Sequence, residues 1–166
     1  LLVDFIICGT QKGGTTALDS YLREHPEICM ADTKEPHYFD NDPLFESGDP
    51  GYSLYHAFFR PRPGQRILGE ATPIYMYWPR AMERVHSYNA GMKLIVLLRD
   101  PSERAYSNWN MESQRGKETR GFGEAIRAEI EASSEISTEL TSRNSVWSAS
   151  RCTRSTNTSR SRTFAN

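Results

Sequence analysis

The stretch FIICGTQKGGTTAL, residues 5–18, constrains the fold of this chain more than any other feature. An apolar run typical of a buried strand, Leu2–Cys8, leads into a glycine-rich turn, and apolar residues at helical spacing follow it. We expect a strand, a tight turn and a helix capped by Thr15 or Thr16. Phosphate-binding loops have this order, because the turn and the helix N-terminus aim backbone N–H groups at one point.

The lysine of this turn does not stand where nucleoside triphosphate loops place it. Those loops end in G-K-[ST], with the lysine directly before the hydroxyl residue. Here Lys12 is instead followed by Gly13, Gly14, Thr15 and Thr16. A glycine-rich turn with a solvated lysine is the competing interpretation. The strand before the turn and the helix after it favour phosphate binding.

The strand-then-helix pattern repeats along the chain and predicts an α/β fold. Met92–Leu98 is apolar except at Lys93, so we expect a central parallel strand that is covered on both faces. Asp100, Pro101 and Glu103 then predict a capped helix start. Such an alternation builds a three-layer parallel sheet, whose ligands bind at the carboxyl ends of the strands. The other expected elements are a helix with Leu18, Tyr21 and Leu22 on its apolar face that ends before Pro26, an irregular stretch at 32–66 with short helical pieces, a strand at 66–70, a helix at 78–88 with Pro79 in its first turn and Met82 and Val85 buried, and a helix at 122–132.

Charge and composition divide the chain near residue 132. Residues 1–132 hold 15 Lys+Arg against 19 Asp+Glu, whereas residues 133–166 hold five Arg, two Glu, ten Ser and six Thr. The second segment has too few apolar residues to bury, so we expect a domain at 1–132 and a disordered tail at 133–166. No basic stripe stands out in the domain, which argues against a nucleic-acid partner and makes any anion site local.

Cysteine usage and hydropathy exclude several other classes. Cys8, Cys29 and Cys152 form no C-x-x-C pair, so neither a disulfide framework nor a zinc site is predicted. No apolar run is long enough to span a membrane, and no signal peptide is visible. The chain opens inside an expected strand, and we therefore expect that its true N-terminus is missing. The sequence does not indicate a compartment or an oligomeric state.

A second candidate anion site lies in LLRDPSERAYSNW, residues 97–109. Arg99 follows the predicted central strand, and Ser107 lies two turns into the helix after it. A guanidinium at a strand exit can bind a phosphate through two parallel N–H donors. The competing interpretation is a surface ion pair of Arg99 with Asp100 or Glu103.

Four segments together resemble a known family. GTQKGGTTAL resembles the 5′-phosphosulfate loop of sulfotransferases that use 3′-phosphoadenosine 5′-phosphosulfate (PAPS), and LIVLLRDPSERAYSNW resembles their 3′-phosphate motif. KEPHYFD (34–40) and GEATPIYMYWP (69–79) resemble segments of the branch that contains heparan sulfate glucosaminyl sulfotransferases and bacterial relatives. The likeness covers about residues 3–130. It implies a P-loop-type sheet that is incomplete on its C-terminal side, since members continue well beyond this length. A truncated or frameshifted reading would produce such a tail.

The resemblance also implies roles for individual residues. PAPS would be the co-substrate, and family members use no metal. Glu35 matches the general base, and His37 of the same segment would assist it. Arg99 and Ser107 would bind the 3′-phosphate. The 5′-phosphosulfate would be held by the loop, in which Lys12 also serves the leaving group: Gly9, Thr10, Gln11, Lys12, Gly13, Gly14, Thr15 and Thr16.

Alternatives remain open for several of these residues. Glu35 can be an ordinary loop carboxylate, and His37 can simply pack and hydrogen-bond. Glu70 and Thr72 can orient substrate or Lys12, or only close the strand end. The aromatic residues of the irregular stretch can wall an acceptor pocket, with core packing as the default: Tyr38, Phe39, Tyr52, Tyr55, Phe58 and Phe59.

The acceptor and the activity also stay open at this point. Ala71 stands where heparan-type enzymes have a lysine, so the acceptor can be a small molecule or a carbohydrate. The alternatives to an active sulfotransferase are an inactive remnant that binds PAPS and a P-loop kinase or NTPase.

Overall fold

The computed structural model describes residues 1–46, 48 and 50–137, apart from the side chains of 132–137. Leu1–Ala125 form one compact unit, and a second unit begins at Ile126, within the last described helix. The tail expected at 133–166 lies largely outside the described residues, so the boundary at 132 stays a prediction. No described helix combines the length and the hydropathy that a bilayer crossing requires.

The elements follow the predicted alternation of strands and helices. In chain order they are β1 (Phe5–Gly9), α1 (Thr15–Arg23), β2 (Ile28–Met30), α2 (Asp42–Glu46), α3 (Ser53–His56), β3 (Ile67–Ala71), a 3₁₀ helix (Pro73–Met76), α4 (Ala81–Tyr88), β4 (Lys93–Leu97), α5 (Pro101–Gln114) and α6 (Phe122–Ser137). The strands form one sheet in the order β2-β3-β1-β4, and every pair is parallel. The predicted α/β class with a parallel sheet is confirmed.

The two faces of β1 pack into different parts of the core, because successive side chains of a strand point to opposite faces. Phe5 and Ile7 join a smaller cluster that includes Leu18 and Leu22 of α1. Ile6 and Cys8 join a larger cluster on the other face. Its members include the aromatic side chains of the irregular stretch, either buried (Tyr38, Phe39, Tyr55, Phe59) or packed against it (Tyr52, Phe58). Core packing, the default expectation for these aromatics, is therefore what the structure has.

Several local predictions were wrong, each for a conformational reason. Gly14, in the left-handed region with φ 99°, is the N-cap of α1, and neither threonine caps the helix through its side chain. Tyr21 is 71% exposed, although Leu18 and Leu22 pack inward as predicted. The helix expected at 78–88 begins only at Ala81, because Arg80 has φ 66° and interrupts the chain after Pro79. The three-residue strand β2 was not predicted.

The most consequential correction concerns β4. Its sequence predicted a central strand covered on both faces, but within the described residues β4 ends the sheet and pairs with β1 alone. Ile95 and Leu97 pack on the smaller cluster. On the opposite face Leu94 is 45% and Val96 46% exposed, and Leu98 just beyond the strand is 70% exposed. Apolarity predicted the strand correctly but could not show which neighbours cover it.

Candidate active site

The glycine-rich turn follows β1 directly and packs against the end of β4. Thr10 N donates to Leu97 O at 2.9 Å, which continues the strand pairing by one residue. Gly9 has φ +126°, and a Cβ at this position would lie 2.1 Å from Leu97 O. Only glycine allows this approach and this backbone conformation. The turn therefore begins at the carboxyl ends of two adjacent strands.

The rest of the turn directs the chain into α1. Gly13 N donates to Thr10 O at 2.9 Å, so this amide is engaged within the turn. Ala17 N donates to Gly14 O at 3.1 Å, whereas the amides of Thr15 and Thr16 before it have no acceptor within the helix by its geometry. Thr15 is buried, whereas Thr16 and Gln11 are exposed. The N-terminal end of α1 therefore offers N–H donors next to the turn that carries Lys12.

Lys12 and Arg99 lie next to each other, although they belong to different segments. Arg99 Nη1 donates to Lys12 O at 3.3 Å, and Arg99 Nε contacts Glu103 Oε2 at 3.1 Å. Lys12 Nζ lies 3.7 Å from Met111 Sδ on α5. The ion pair that was the competing interpretation of Arg99 is present, and the guanidinium nevertheless lies against the turn. Both cationic side chains thus contact α5, Lys12 at Met111 and Arg99 at Glu103.

Ser107 lies on α5 four residues after Glu103, and therefore on the same face of this helix as the residue that Arg99 contacts. Asp100 caps this helix as predicted, since its carboxylate accepts hydrogen bonds from Ser102 N and Glu103 N. The side chain of Glu103 contacts Arg99, as described above. Ser107 lies two turns into α5 and is half-buried.

Glu35 lies at the exit of β3, the other neighbour of β1. Glu35 N donates to Ala71 O, the last residue of β3, at 3.1 Å. Glu35 has φ 58° and His37 has φ 52°. Among the described residues, four that are not glycine have positive φ, and three of these are Lys12, Glu35 and His37. Such conformations cost free energy and concentrate at functional sites, and these are the three residues that were predicted to be catalytic.

An alternating chain of charges surrounds Glu35. Lys34 Nζ contacts Glu35 Oε1, and His37 Nε2 lies 3.6 Å from Glu35 Oε2. On its other side, His37 Nδ1 lies 2.7 Å from Asp40 Oδ2. His37 and then Lys34 lower the pKa of Glu35 to about 2. Asp40 and then Glu35 raise the pKa of His37 to about 9. At neutral pH the segment thus holds two cations and two carboxylates in alternation.

Lys34 and Asp40 were not predicted as site residues, although both lie in the quoted segment KEPHYFD. The signal that could have identified them is the charge pattern itself, with a lysine beside the glutamate and an aspartate three residues after the histidine.

Glu70 and Thr72 were given a possible orienting role. Both are fully buried, and Thr72 Oγ1 donates to Glu70 Oε2 at 2.5 Å.

No set of three or more His, Cys, Asp or Glu side chains in the described part of the chain is arranged to hold a metal ion. Carboxylates lie at the exit of β3, whereas the polar groups around the Lys12 turn include cationic side chains, helix N–H groups and hydroxyls. This donor set suits an anion.

Comparison with known proteins identifies the family. The family model described as "Sulfotransferase domain" matches residues 2–149. The chain is 38% identical over 113 residues to membrane-associated sulfotransferase kil1 of Dictyostelium discoideum, which covers 68% of this chain and 24% of that protein. It is 36% identical over 115 residues to human heparan sulfate glucosamine 3-O-sulfotransferase 5, which covers 69% of this chain and 32% of that protein.

A solved structure is similar as well. The sulfotransferase from Alicyclobacillus acidocaldarius matches with a TM-score of 0.67 and 28% sequence identity, over 79% of this chain and 58% of that one. The chain thus spans about a quarter to a third of the length of the two curated relatives. A family model that matches most of the chain, together with these likenesses, shows that the chain belongs to the sulfotransferase family.

Proposed function

We propose that this chain carries the donor-binding and base-bearing part of a sulfotransferase that moves a sulfuryl group from PAPS to an acceptor hydroxyl or amine. One observation carries the proposal. Each of three neighbouring parallel strands has one group of the proposed site at its carboxyl end. Glu35 is hydrogen-bonded to the last residue of β3, the Lys12 turn follows β1, and Arg99 follows β4 and contacts this turn. The carboxyl ends of parallel strands are where α/β sheets bind their ligands.

Two anion sites on one surface fit a nucleotide with a phosphate group at each end. In the proposal, the turn from Gly9 to Thr16 holds the 5′-phosphosulfate through the first amides of α1, the threonine hydroxyls and Lys12. Arg99 and Ser107 hold the 3′-phosphate. The Arg99 contact with the Lys12 carbonyl supports this arrangement, because it brings the guanidinium against the turn that carries Lys12.

The proposed reaction is an in-line displacement at sulfur. The acceptor oxygen or nitrogen forms a bond to sulfur while the bond from sulfur to the bridging phosphate oxygen breaks. Lys12 stabilises the negative charge that develops on that oxygen, so adenosine 3′,5′-bisphosphate leaves with the electron pair. Glu35 accepts the proton that the acceptor loses. Fixed cations and donors at these positions stabilise the transition state, because they need no reorganisation during the reaction.

The electrostatics of Glu35 set a condition on this mechanism. A pKa of about 2 makes Glu35 a weak base, although it guarantees that the carboxylate is ionised at neutral pH. A weak base suffices if it takes the proton late, because an acceptor that is already bonding to sulfur becomes acidic. His37, with its pKa raised to about 9, is charged at neutral pH and fits the role of orienting Glu35 better than that of a second base.

The relatives guide the proposal about the acceptor only at the level of chemical class. One of them is named for heparan sulfate glucosamine, and the corresponding proposal is a carbohydrate or a small molecule with a free hydroxyl or amine. Ala71, at the position that the resemblance matches to a lysine in heparan-type enzymes, carries no charge and is fully buried in β3. We therefore propose a less anionic acceptor than a sulfated polysaccharide.

Isothermal titration calorimetry with adenosine 3′,5′-bisphosphate tests the donor site. We expect binding without magnesium, and a loss of at least about tenfold in affinity in Lys12→Ala, since a charge-assisted hydrogen bond contributes about 1.5–3 kcal/mol. Lys93→Ala is the matched control, because this exposed lysine lies at the opposite end of the sheet, at the start of β4. Binding of ATP only with magnesium would instead indicate a kinase or NTPase. Absence of binding to either nucleotide would contradict the proposal.

A further inference from the structure

Glu70 is a carboxyl group inside the larger core cluster. It lies on β3 with 0% exposure, next to Ala71. Its pKa is raised to about 7, chiefly by desolvation and to a smaller extent by the Asp40 carboxylate. The neighbouring hydroxyl groups act in the opposite direction and lower this pKa. A buried carboxyl group is costly to fold. Its oxygens must therefore be hydrogen-bonded to neighbouring groups.

Two hydroxyl groups donate to Glu70. Tyr55 of α3 donates to Oε1 at 2.6 Å, and Thr72 donates to Oε2 at 2.5 Å. Tyr75 of the 3₁₀ helix is buried near this carboxyl group, and desolvation and then the nearby Glu70 charge raise the pKa of Tyr75. Each carboxyl oxygen of Glu70 can accept one of the two hydrogen bonds in the ionised and in the protonated state. A glutamine at this position would turn an N–H₂ group toward one of the two donors.

Tyr75 contacts the segment that carries Glu35. The Tyr75 hydroxyl oxygen accepts hydrogen bonds from Tyr38 N at 2.9 Å and from Phe39 N at 3.3 Å. These two contacts use both of its lone pairs, so the two backbone amides share this one acceptor. The buried Tyr75 hydroxyl therefore holds the backbone of Tyr38 and Phe39.

The segment is consequently held at both ends, at one by β3 and at the other by the 3₁₀ helix that follows β3. At one end Glu35 N bonds to the Ala71 carbonyl, and at the other the backbone of Tyr38 and Phe39 bonds to Tyr75. Between these two anchors the chain adopts positive φ at Glu35 and His37. Conformations of this kind persist only where their surroundings hold them in place.

We propose that Tyr75 is a positioning residue, which holds the backbone of the segment that presents Glu35 and His37. The anchoring rests on the contacts alone, whereas its consequence for catalysis rests on the proposed function. Tyr55 provides the matched control. It is as buried as Tyr75 and packs in the same cluster, and within the described residues its hydroxyl donates to Glu70 and not to the segment backbone.

Amide hydrogen exchange tests the anchoring in the chain as it exists. In Tyr75→Phe we expect the amides of Tyr38 and Phe39 to exchange at least about fivefold faster relative to those of β1, as loss of one ordinary hydrogen bond predicts. In Tyr55→Phe their exchange relative to β1 should stay within about twofold of the wild type. Equal acceleration in both variants, or none in Tyr75→Phe, would overturn the proposal. If Tyr75→Phe does not fold, the wild type is measured alone: the amides of Tyr38 and Phe39 should exchange at least about fivefold more slowly than in the unfolded chain, and unprotected amides would overturn the proposal.

A sulfuryl-transfer assay tests the catalytic consequence, with labelled PAPS as donor and glucosamine or p-nitrophenol as acceptor. We expect Tyr75→Phe to lower kcat at least about tenfold with little change in KM for PAPS, and Tyr55→Phe to retain kcat. A fall of kcat by the same factor in both variants would refute a positioning role. If the wild type transfers no sulfuryl group, the proposed function fails, and the exchange comparison still decides whether Tyr75 anchors the segment.

Discussion

The buried Glu70 makes a quantitative prediction about how stability depends on pH. In the folded chain its pKa rises from 4.5 to about 7, chiefly through desolvation. Between these values the folded chain keeps a proton that the unfolded chain has released. Stability from this group is therefore present below pH 4.5 and is lost as the pH rises through 7. One pKa unit corresponds to about 1.4 kcal/mol, so the loss is about 3 kcal/mol.

Replacement of Glu70 by glutamine should remove this pH dependence. The amide introduces a constant penalty of about 1–3 kcal/mol, because it brings a donor to a site of donors. This penalty is the same at every pH. The difference in the free energy of unfolding between the two proteins therefore changes with pH only through the titration of Glu70. Between pH 4.5 and 8 the free energy of unfolding of Glu70→Gln should rise by about 3 kcal/mol relative to that of the wild type.

Urea unfolding at pH 4.5, 6, 7 and 8, followed by tryptophan fluorescence and circular dichroism, measures this difference. Glu35 and His37 are present in both proteins, so their titrations cancel. Glu83→Gln, which removes an exposed carboxylate on α4, controls for the loss of one charge. A difference between Glu70→Gln and wild type that stays constant over this range would refute the account of Glu70 as a desolvated acid.

Three further predictions concern the strand ends. In the segment around Glu35, His37→Gln should reduce the loss of stability that occurs as the pH rises through about 9, because the carboxylates beside His37 stabilise its charged form. Urea unfolding at pH 7 to 9.5 measures this loss, and an unchanged dependence of stability on pH would contradict the prediction. In the turn, Gly9→Ala should destabilise by more than about 2 kcal/mol, since its Cβ would lie 2.1 Å from Leu97 O, whereas Gly14→Ala meets no atom within 4 Å and should cost only about 1 kcal/mol for its positive φ. Thermal unfolding compares the two, and similar losses would refute the steric argument. In catalysis, Glu35→Gln should lose turnover at least about a hundredfold while its affinity for adenosine 3′,5′-bisphosphate stays within about twofold; retained turnover in the transfer assay would place the base elsewhere.

The sequence predicted the parts of this fold that are local. The strand, turn and helix around Lys12 are encoded within fourteen consecutive residues, and Asp100 with Pro101 defines a helix start by itself. The family resemblance added the segment with Glu35 and His37, whose residue types alone did not distinguish a base from an ordinary loop carboxylate.

What could not be predicted depends on contacts between distant segments. Burial of Glu70 is decided by Tyr55 and Tyr75, which reach it from different elements. The strand β2 is only three residues long and forms because β3 pairs with it. The N-cap of α1 depends on the backbone of Gly14, and a threonine beside it looks like a better cap in the sequence. In each case the deciding partner lies outside the local pattern.

The aliphatic side of β4 has a practical consequence for work with this chain in solution. Leu94, Val96 and Leu98 present a hydrophobic strip beside a strand that, within the described residues, has a neighbour on one side only. The open backbone edge of such a strand is a template on which a second copy can add its own strand, and the hydrophobic strip favours this association. Preparations should therefore associate as they are concentrated, and calorimetry and exchange experiments belong at the lowest workable concentration with light scattering alongside.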